Sequence, residues 1–169
     1  MKTMIYQFKS NNFKRMIEKS IFILFIIFLS TTGFAQTAAK RQKEFNLENK
    51  VALQGYDPVA YFLQRKAVKG KSNITYTFEG VTYNFSSQGN KDTFVKSPTN
   101  YEPQYGGWCA YAMGANGEKV EVDPDTFKIV NGKLYLFYNA YFNNTLKSWN
   151  KDEVNLNKKA DANWKKFIN

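Results

Sequence analysis

The sequence has no histidine and only one cysteine, Cys109, among its 169 residues. The lack of histidine excludes zinc sites built on imidazole and the Ser-His-Asp and Cys-His nucleophile systems. It also removes the commonest general base near neutral pH. A single thiol cannot form an internal disulfide, even in an oxidising compartment. The hydrophobic core must therefore stabilise the fold by itself, and aromatic residues, 17% of the chain, supply large apolar areas for it.

Long apolar runs are also scarce. The stretch "IFILFIIFL" at Ile21–Leu29 has nine residues, whereas a membrane-spanning helix needs about 20. It follows a basic segment and precedes Gly33 and Ala35, small residues at the positions that a signal peptidase reads. These features predict a secretory signal peptide cleaved after Ala35. An uncleaved anchor is the alternative, because no charged residue occurs from Ser20 to Ala39.

The rest of the chain has the length of one domain. Residues 1–35 are assigned to the signal peptide, the polar residues 36–46 ("QTAAKRQKEFN") to a flexible lead-in, and residues 47–169 to the folded domain. The expected location of the mature protein is the periplasm or the cell exterior.

The charge of the chain is positive. It is formally +10, from 24 basic and 14 acidic residues. Five of the basic residues and one of the acidic residues lie within residues 1–35, so the remainder retains +6. Such a charge attracts anionic surfaces weakly. Because the basic residues are scattered, they indicate a solvated face and no nucleic-acid partner. We expect a monomer that contacts a membrane only through its N-terminal segment, if that segment is retained.

Two β-hairpins are predicted. In "NITYTFEGVTYNF" (73–85), apolar and polar residues alternate on both sides of Glu79-Gly80, which is typical of a hairpin with one solvated face. In "TFKIVNGKLYLFYN" (126–139), Asn131-Gly132 is a strong turn signal because both residue types tolerate positive φ.

Short helices are predicted around these hairpins. In "SSQGNKDTFVKSP", Ser86 or Ser87 can cap the first turn and a proline ends the helix. A helical turn is expected between Gly107 and Gly114, and another helix in "YFNNTLKSWN". A C-terminal helix is predicted from an apolar stripe at Ala160, Trp164, Phe167 and Ile168. The fold class is therefore α+β: a small antiparallel sheet built from hairpins, with short helices packed on it and a C-terminal helix.

The order of short motifs resembles the YHS domain family. The matching elements are "DPV" (Asp57–Val59), the strand "YNF" running into "SS", and then Phe94, "SP" and Tyr101. A longer resemblance to exported single-domain members includes "GYDPVAYF", "PQYGGWCAYA", "GKLYLFYN" and "KADANW". It covers about residues 47–168.

The resemblance implies three positions where other members carry metal-ligating Cys or His. In this sequence they are Ala60, Ser86 and Asn90. Alanine cannot ligate a metal, and serine and asparagine are poor ligands for copper or zinc. We therefore expect that the family's usual metal site is not inherited at these positions.

The lone cysteine lies in "PQYGGWCAYAM" and has three interpretations. It can be a buried thiol that acts as a small apolar side chain. It can bind Cu(I) or another soft metal ion together with Met113, one helical turn away. It can also be a reactive thiol, activated by a helix N-terminus next to Gly106-Gly107.

Five residues are candidates for binding a ligand. Asp57 precedes a proline and is expected to cap a turn through its side chain, but it can also line a polar pocket beside aromatic residues. The candidates are Tyr56, Asp57, Tyr105, Trp108 and Cys109. We expect an exported, non-enzymatic binding or accessory domain of the cell envelope, without a cofactor, whose partner is a small ligand or an envelope protein. The alternatives are a soft-metal protein using Cys109 and Met113, and a thiol-dependent redox protein.

Overall fold

The computed structural model describes residues 37–168, so the predicted signal peptide lies outside the described residues. The helices are α1 (37–44), α2 (Pro58–Leu63), α3 (Gln88–Lys96), α4 (Ala110–Ala115), α5 (Thr145–Trp149) and α6 (Glu153–Ile168). The strands are β1 (Leu47–Glu48), β2 (Val51–Ala52), β3 (Lys71–Phe78), β4 (Val81–Phe85), β5 (Asp123–Val130), β6 (Lys133–Phe137), β7 (Asn139–Ala140) and β8 (Asn143–Asn144). The predicted α+β class is confirmed. Within this described part, no helix is both long and apolar enough to cross a bilayer.

The first hairpin, β3–β4, forms as predicted and belongs to a four-stranded sheet in the order β1-β2-β4-β3. Glu79 and Gly80 occupy its turn with φ values of 45° and 83°. Strand β4 directs Val81, Tyr83 and Phe85 into the core, where each is fully buried. The short strand β2 pairs with β4 in parallel, which closes the other side of the hairpin.

The second hairpin, β5–β6, also forms as predicted, with Asn131 and Gly132 at positive φ in its turn. Strand β6 is buried on both of its faces, because four consecutive residues are shielded from solvent. Leu134 and Leu136 belong to a first hydrophobic cluster, while Tyr135 and Phe137 belong to a second. Strand β6 therefore separates two parts of the core.

The predicted helices are present, with one change to the C-terminal stripe. Helix α3 is capped by the Ser87 hydroxyl, which accepts from the Asn90 N–H. In α6, Leu156 and Ala160 are buried, whereas Ile168 is 40% exposed. Helix α6 contacts α4 from Leu156, which lies against Gly114, to Asn163, whose amide donates to the Met113 carbonyl at 2.9 Å, and its last turn extends beyond this contact.

The segment predicted to be a flexible lead-in instead has defined structure in its described part. Residues 37–44 form α1, and Arg41 of this helix pairs with Glu102 and lies 3.6 Å from Glu79. The Phe45 ring lies 5.8 Å from that of Trp164 in α6. The partners of this polar segment lie far along the chain, so its composition alone did not indicate them.

Candidate functional site

Asp57 is the N-cap of α2, which begins at Pro58. One of its carboxylate oxygens accepts hydrogen bonds from the backbone N–H groups of Val59, at 2.9 Å, and Ala60, at 3.3 Å. This capping role was predicted from the Asp-Pro pair. A proline at the first helical position favours the same start, because its missing N–H is not needed there. Asp57 is nevertheless more than a surface cap, because it is fully buried.

The other oxygen of Asp57 links the start of α2 to the end of β4 and to α3. It accepts from the Ser86 N–H at 2.8 Å, from the Ser86 hydroxyl at 2.6 Å and from the Asn90 amide at 2.7 Å. Ser86 follows β4 directly, and Asn90 lies in the first turn of α3. We call these three side chains the Asp57 cluster. Its five donors are neutral groups, and together they replace the water that the carboxylate loses on burial.

The Asp57 cluster lies where the resemblance placed a metal site. The three family ligand positions, Ala60, Ser86 and Asn90, all meet at Asp57 through the hydrogen bonds described above. The side chains of Ser86 and Asn90 donate hydrogen bonds to Asp57, whereas Ala60 donates only through its backbone N–H. In the part of the chain that the structure describes, no group of three or more His, Cys, Asp or Glu side chains is arranged to hold a metal ion.

Tyr56 precedes the cluster and contacts a lysine rather than Asp57's partners. The Lys69 ammonium lies 4.6 Å from the centroid of the Tyr56 ring and also donates to the Gln54 carbonyl at 2.5 Å. This cation–π geometry orients the half-buried ring. Leu53, Gln54 and Gly55 all have positive φ in the turn that leads to Tyr56.

The segment that contains Cys109 enters α4 through a second left-handed turn. Tyr105, Gly106 and Gly107 have φ values of 55°, 60° and 88°. Cys109 is the N-cap residue of α4, and the helix begins at Ala110. The predicted helical turn between Gly107 and Gly114 is thus present but begins later. As a result, Cys109 lies in front of the helix and not on its first turn.

The thiol of Cys109 is fully buried, as the first of its three interpretations predicted. Its surroundings are not purely apolar, however. The Tyr138 N–H lies 3.3 Å from the sulfur and donates to it, and the Thr145 hydroxyl lies 3.4 Å away. The same hydroxyl donates to the Tyr138 carbonyl at 2.8 Å. Through these hydrogen bonds, Cys109 connects the start of α4 to the segment between β6 and α5.

Cys109 and Met113 pack into different hydrophobic clusters. Cys109 belongs to the cluster that contains Leu136, and Met113 to the one that contains Phe137 and Trp149. Both sulfur-containing side chains are fully buried. The two residues lie one turn apart, because the Cys109 carbonyl accepts a hydrogen bond from the Met113 N–H at 3.0 Å, but their side chains enter different clusters. A soft-metal site at this pair stays a prediction.

Tyr105 and Trp108 are held by neighbours that the sequence did not suggest. The Tyr105 hydroxyl donates to Asp161 at 3.0 Å and accepts from the Asn157 amide at 3.1 Å, both in α6. Burial and the negative charge of Asp161 raise the pKa of Tyr105 above its ordinary value. The Trp108 indole N–H donates to the carbonyl of Glu44 at 2.7 Å.

The five predicted ligand residues have different interaction partners. Asp57 joins α2, α3 and β4, Cys109 lies beside Thr145, and Tyr105 faces α6. Sequence reasoning identified Asp57 but not the convergence of its partners. Two features of the sequence could have identified Ser86 and Asn90 as partners of Asp57. Both occupy ligand positions of the family motif, and both have side chains that can donate a hydrogen bond to a carboxylate.

These observations define a small α+β domain organised around a buried, fully hydrogen-bonded carboxylate. Residues 59–105 match the model of the YHS domain. The chain thus contains a YHS domain at these residues, and the resemblance read from its motifs is confirmed there. The matched segment runs from α2 through the first hairpin and α3 to Tyr105, so Cys109, α4 and the second hairpin lie outside it. No curated protein and no solved structure matches the chain significantly.

Proposed function

We propose that this YHS domain protein is an exported, non-enzymatic binding or accessory module of the cell envelope. The observation that carries the proposal is that the two groups most suited to chemistry are both engaged internally. Asp57 is surrounded by five hydrogen-bond donors, and Cys109 is buried against Tyr138 and Thr145. A general base or nucleophile must reach a substrate, and neither group is exposed to one.

The placement in the envelope is supported by the N-terminal sequence. Residues 1–35 combine a basic start, a short apolar run and small residues before Gln36, which together are typical of a secretory signal. N-terminal sequencing of the protein recovered from cells tests this directly. We expect the mature chain to begin at Gln36 or within a few residues of it, whereas Met1 on a membrane-bound form would contradict cleavage.

Native mass spectrometry of the same preparation tests the binding role. A retained non-covalent small molecule would support a ligand-binding module and identify its ligand. A covalent adduct on Cys109, together with rapid labelling of the folded protein by a thiol reagent, would instead support the thiol-dependent alternative. We expect slow labelling, because the sulfur is buried.

A Cu(I) titration against a competing chelator tests the metal alternative. The wild type is compared with Cys109→Ala and Met113→Leu. Stoichiometric binding that both substitutions abolish would favour the metal-handling function over the one proposed. We expect no such binding, because the two side chains pack into different clusters.

A further inference from the structure

The hairpin β7–β8 carries two aromatic side chains at its tip, and both point into solvent. Tyr141 is 91% exposed and Phe142 is 112% exposed, the largest values for any large hydrophobic residue in the described part of the chain. The strands on either side pair Asn139 with Asn144 and Ala140 with Asn143. The two aromatic residues therefore form the whole turn. We call them the aromatic tip.

The local structure does not account for these two residues. Tyr141 and Phe142 both have positive φ, at 51° and 64°, a conformation that L side chains adopt reluctantly. Two-residue turns of this kind are normally made by Asn-Gly or similar pairs. The second hairpin of this protein has that pair, at Asn131-Gly132. An Asn-Gly pair would suit the turn of the aromatic tip better. We therefore attribute the presence of two aromatic residues there to a contact with a partner outside the chain.

The charge of the surrounding segment indicates what that contact is. Residues 126–151 contain four lysines and no acidic residue. Lys147 and Lys151, which follow β8 in the chain, are exposed. Lys133 lies at the far end of β6, and Lys128 pairs with Glu153. Two acidic residues of β5, the strand beside β7, lie at the base of the hairpin: Asp123, which accepts from the Asn139 amide at 3.1 Å and from the Thr126 hydroxyl at 2.8 Å, and the exposed Asp125. The segment that follows the aromatic tip is thus cationic, with Lys147 and Lys151 as its exposed charges.

We propose that the aromatic tip inserts into the headgroup region of an anionic lipid bilayer, with the exposed Lys147 and Lys151 contacting the phosphates. Tyrosine and other amphipathic aromatic residues favour the interface between hydrocarbon and water. Basic residues near an anionic leaflet add electrostatic attraction that falls off within a Debye length. This inference rests on the proposed envelope function and names the partner of that module. It replaces the expectation that a membrane is contacted only through the N-terminal segment.

Sedimentation with lipid vesicles tests the proposal. Vesicles of phosphatidylcholine alone are compared with vesicles that also contain phosphatidylglycerol, using for every variant the mature protein recovered from cells that express the full-length chain. The main variant is Tyr141→Asn with Phe142→Gly, which gives the turn its preferred residues and so does not weaken the fold. The control is Leu63→Ser with Val95→Ser, which removes two exposed apolar side chains from α2 and α3.

We expect the wild type and the control to bind the anionic vesicles. The main variant should bind at least about tenfold more weakly, because each buried aromatic side chain contributes substantially to transfer from water. Binding should also weaken at high salt and in Lys147→Gln with Lys151→Gln. A wild type that does not bind, or a main variant that binds as the wild type does, would overturn the proposal. Equal binding to neutral vesicles would overturn its electrostatic part.

The outcome is separable from the test of the proposed function. Export is decided by the N-terminus of the protein recovered from cells, and the non-enzymatic role by the labelling of Cys109. Loss of vesicle binding in the main variant depends on neither. If the aromatic tip instead binds a protein groove, the wild type will not sediment with vesicles, and the lipid proposal fails while the envelope function stands.

Discussion

The side-chain amide of Asn90 lies 2.7 Å from the carboxylate of Asp57, and this hydrogen bond joins α3 to the start of α2. Both residues are buried, Asp57 completely and Asn90 to 8% exposure. In the YHS domain resemblance, position 90 is one where other members carry a metal ligand. Here the position is part of a hydrogen-bonded cluster that joins α2, α3 and the end of β4.

The first prediction concerns this bond. Asn90→Ala should lower the free energy of unfolding by about 1–3 kcal/mol, because one donor to a buried carboxylate is lost. Asp92→Ala, at an exposed position of the same helix, is the control and should change stability by no more than about 0.5 kcal/mol. Urea denaturation measures both. Equal stabilities of the two variants would mean that the Asp57 cluster does not stabilise the fold.

The second prediction concerns Cys109. Cys109→Ala leaves the Tyr138 N–H without its acceptor and should cost about 1–3 kcal/mol. Cys109→Ser retains an acceptor and should cost less. A purely apolar pocket would give the opposite order, since it would not accommodate a hydroxyl. Chemical denaturation of the two variants therefore distinguishes a hydrogen-bonded thiol from one that only fills space.

The third prediction concerns the crossing of α4 and α6. A Cβ atom added at Gly114 would lie 2.5 Å from the Leu156 carbonyl oxygen, so the helices would have to separate. Gly114→Ala should therefore destabilise the domain by about 1–3 kcal/mol. Gly89→Ala in α3 is the matched control, because the nearest atom to its added Cβ lies 4.0 Å away. It should be neutral or stabilise by up to about 1 kcal/mol, and thermal unfolding measures the difference in sign.

The fourth prediction concerns alkaline pH. Burial raises the pKa of Tyr83 well above its ordinary value, and the negative charge of Glu102 beside its hydroxyl raises it further. In the unfolded chain the same tyrosine ionises near pH 10. Its contribution to stability is therefore complete below about pH 10 and is lost as the pH rises from there towards its folded pKa.

Comparison with Tyr83→Phe isolates this contribution. The variant should be less stable than the wild type at neutral pH, because the hydrogen bond to Glu102 is lost. It should, however, lose less stability between about pH 9 and pH 11, because one of the buried tyrosines no longer titrates. Urea midpoints across this range provide the measurement. Parallel curves for the two proteins would show that Tyr83 ionises equally in both states.

The parts of the fold that were predicted from the sequence are those fixed by neighbours in the chain. Glu79-Gly80 and Asn131-Gly132 specify their turns locally, and Ser87 caps α3 through an amide three residues away. The strands β1 and β2 were not predicted, because two residues are too few for an alternating pattern. Their position depends on the parallel pairing of Val51 with Thr82, which no local signal encodes.

The candidate site shows the same limit. The capping role of Asp57 followed from the adjacent proline, but its second oxygen is used by Ser86 and Asn90, which the chain brings near only after it folds. The pairing of Cys109 with Met113 was proposed from a spacing of four residues. The structure does place the two residues one turn apart, but their side chains enter different hydrophobic clusters, which the spacing alone does not reveal.

The contact between Phe45 and Trp164 has a consequence for how the protein is made. Both rings approach Gly106 so closely that a Cβ there would lie 2.9 Å from Phe45 and 2.8 Å from Trp164. A ribosome synthesises Phe45 early and Trp164 late, so this side of the core stays open until α6 has emerged. Closing so long a loop is also slow and entropically costly. A nascent chain therefore cannot complete this side of its core until the residues of α6 have left the ribosome.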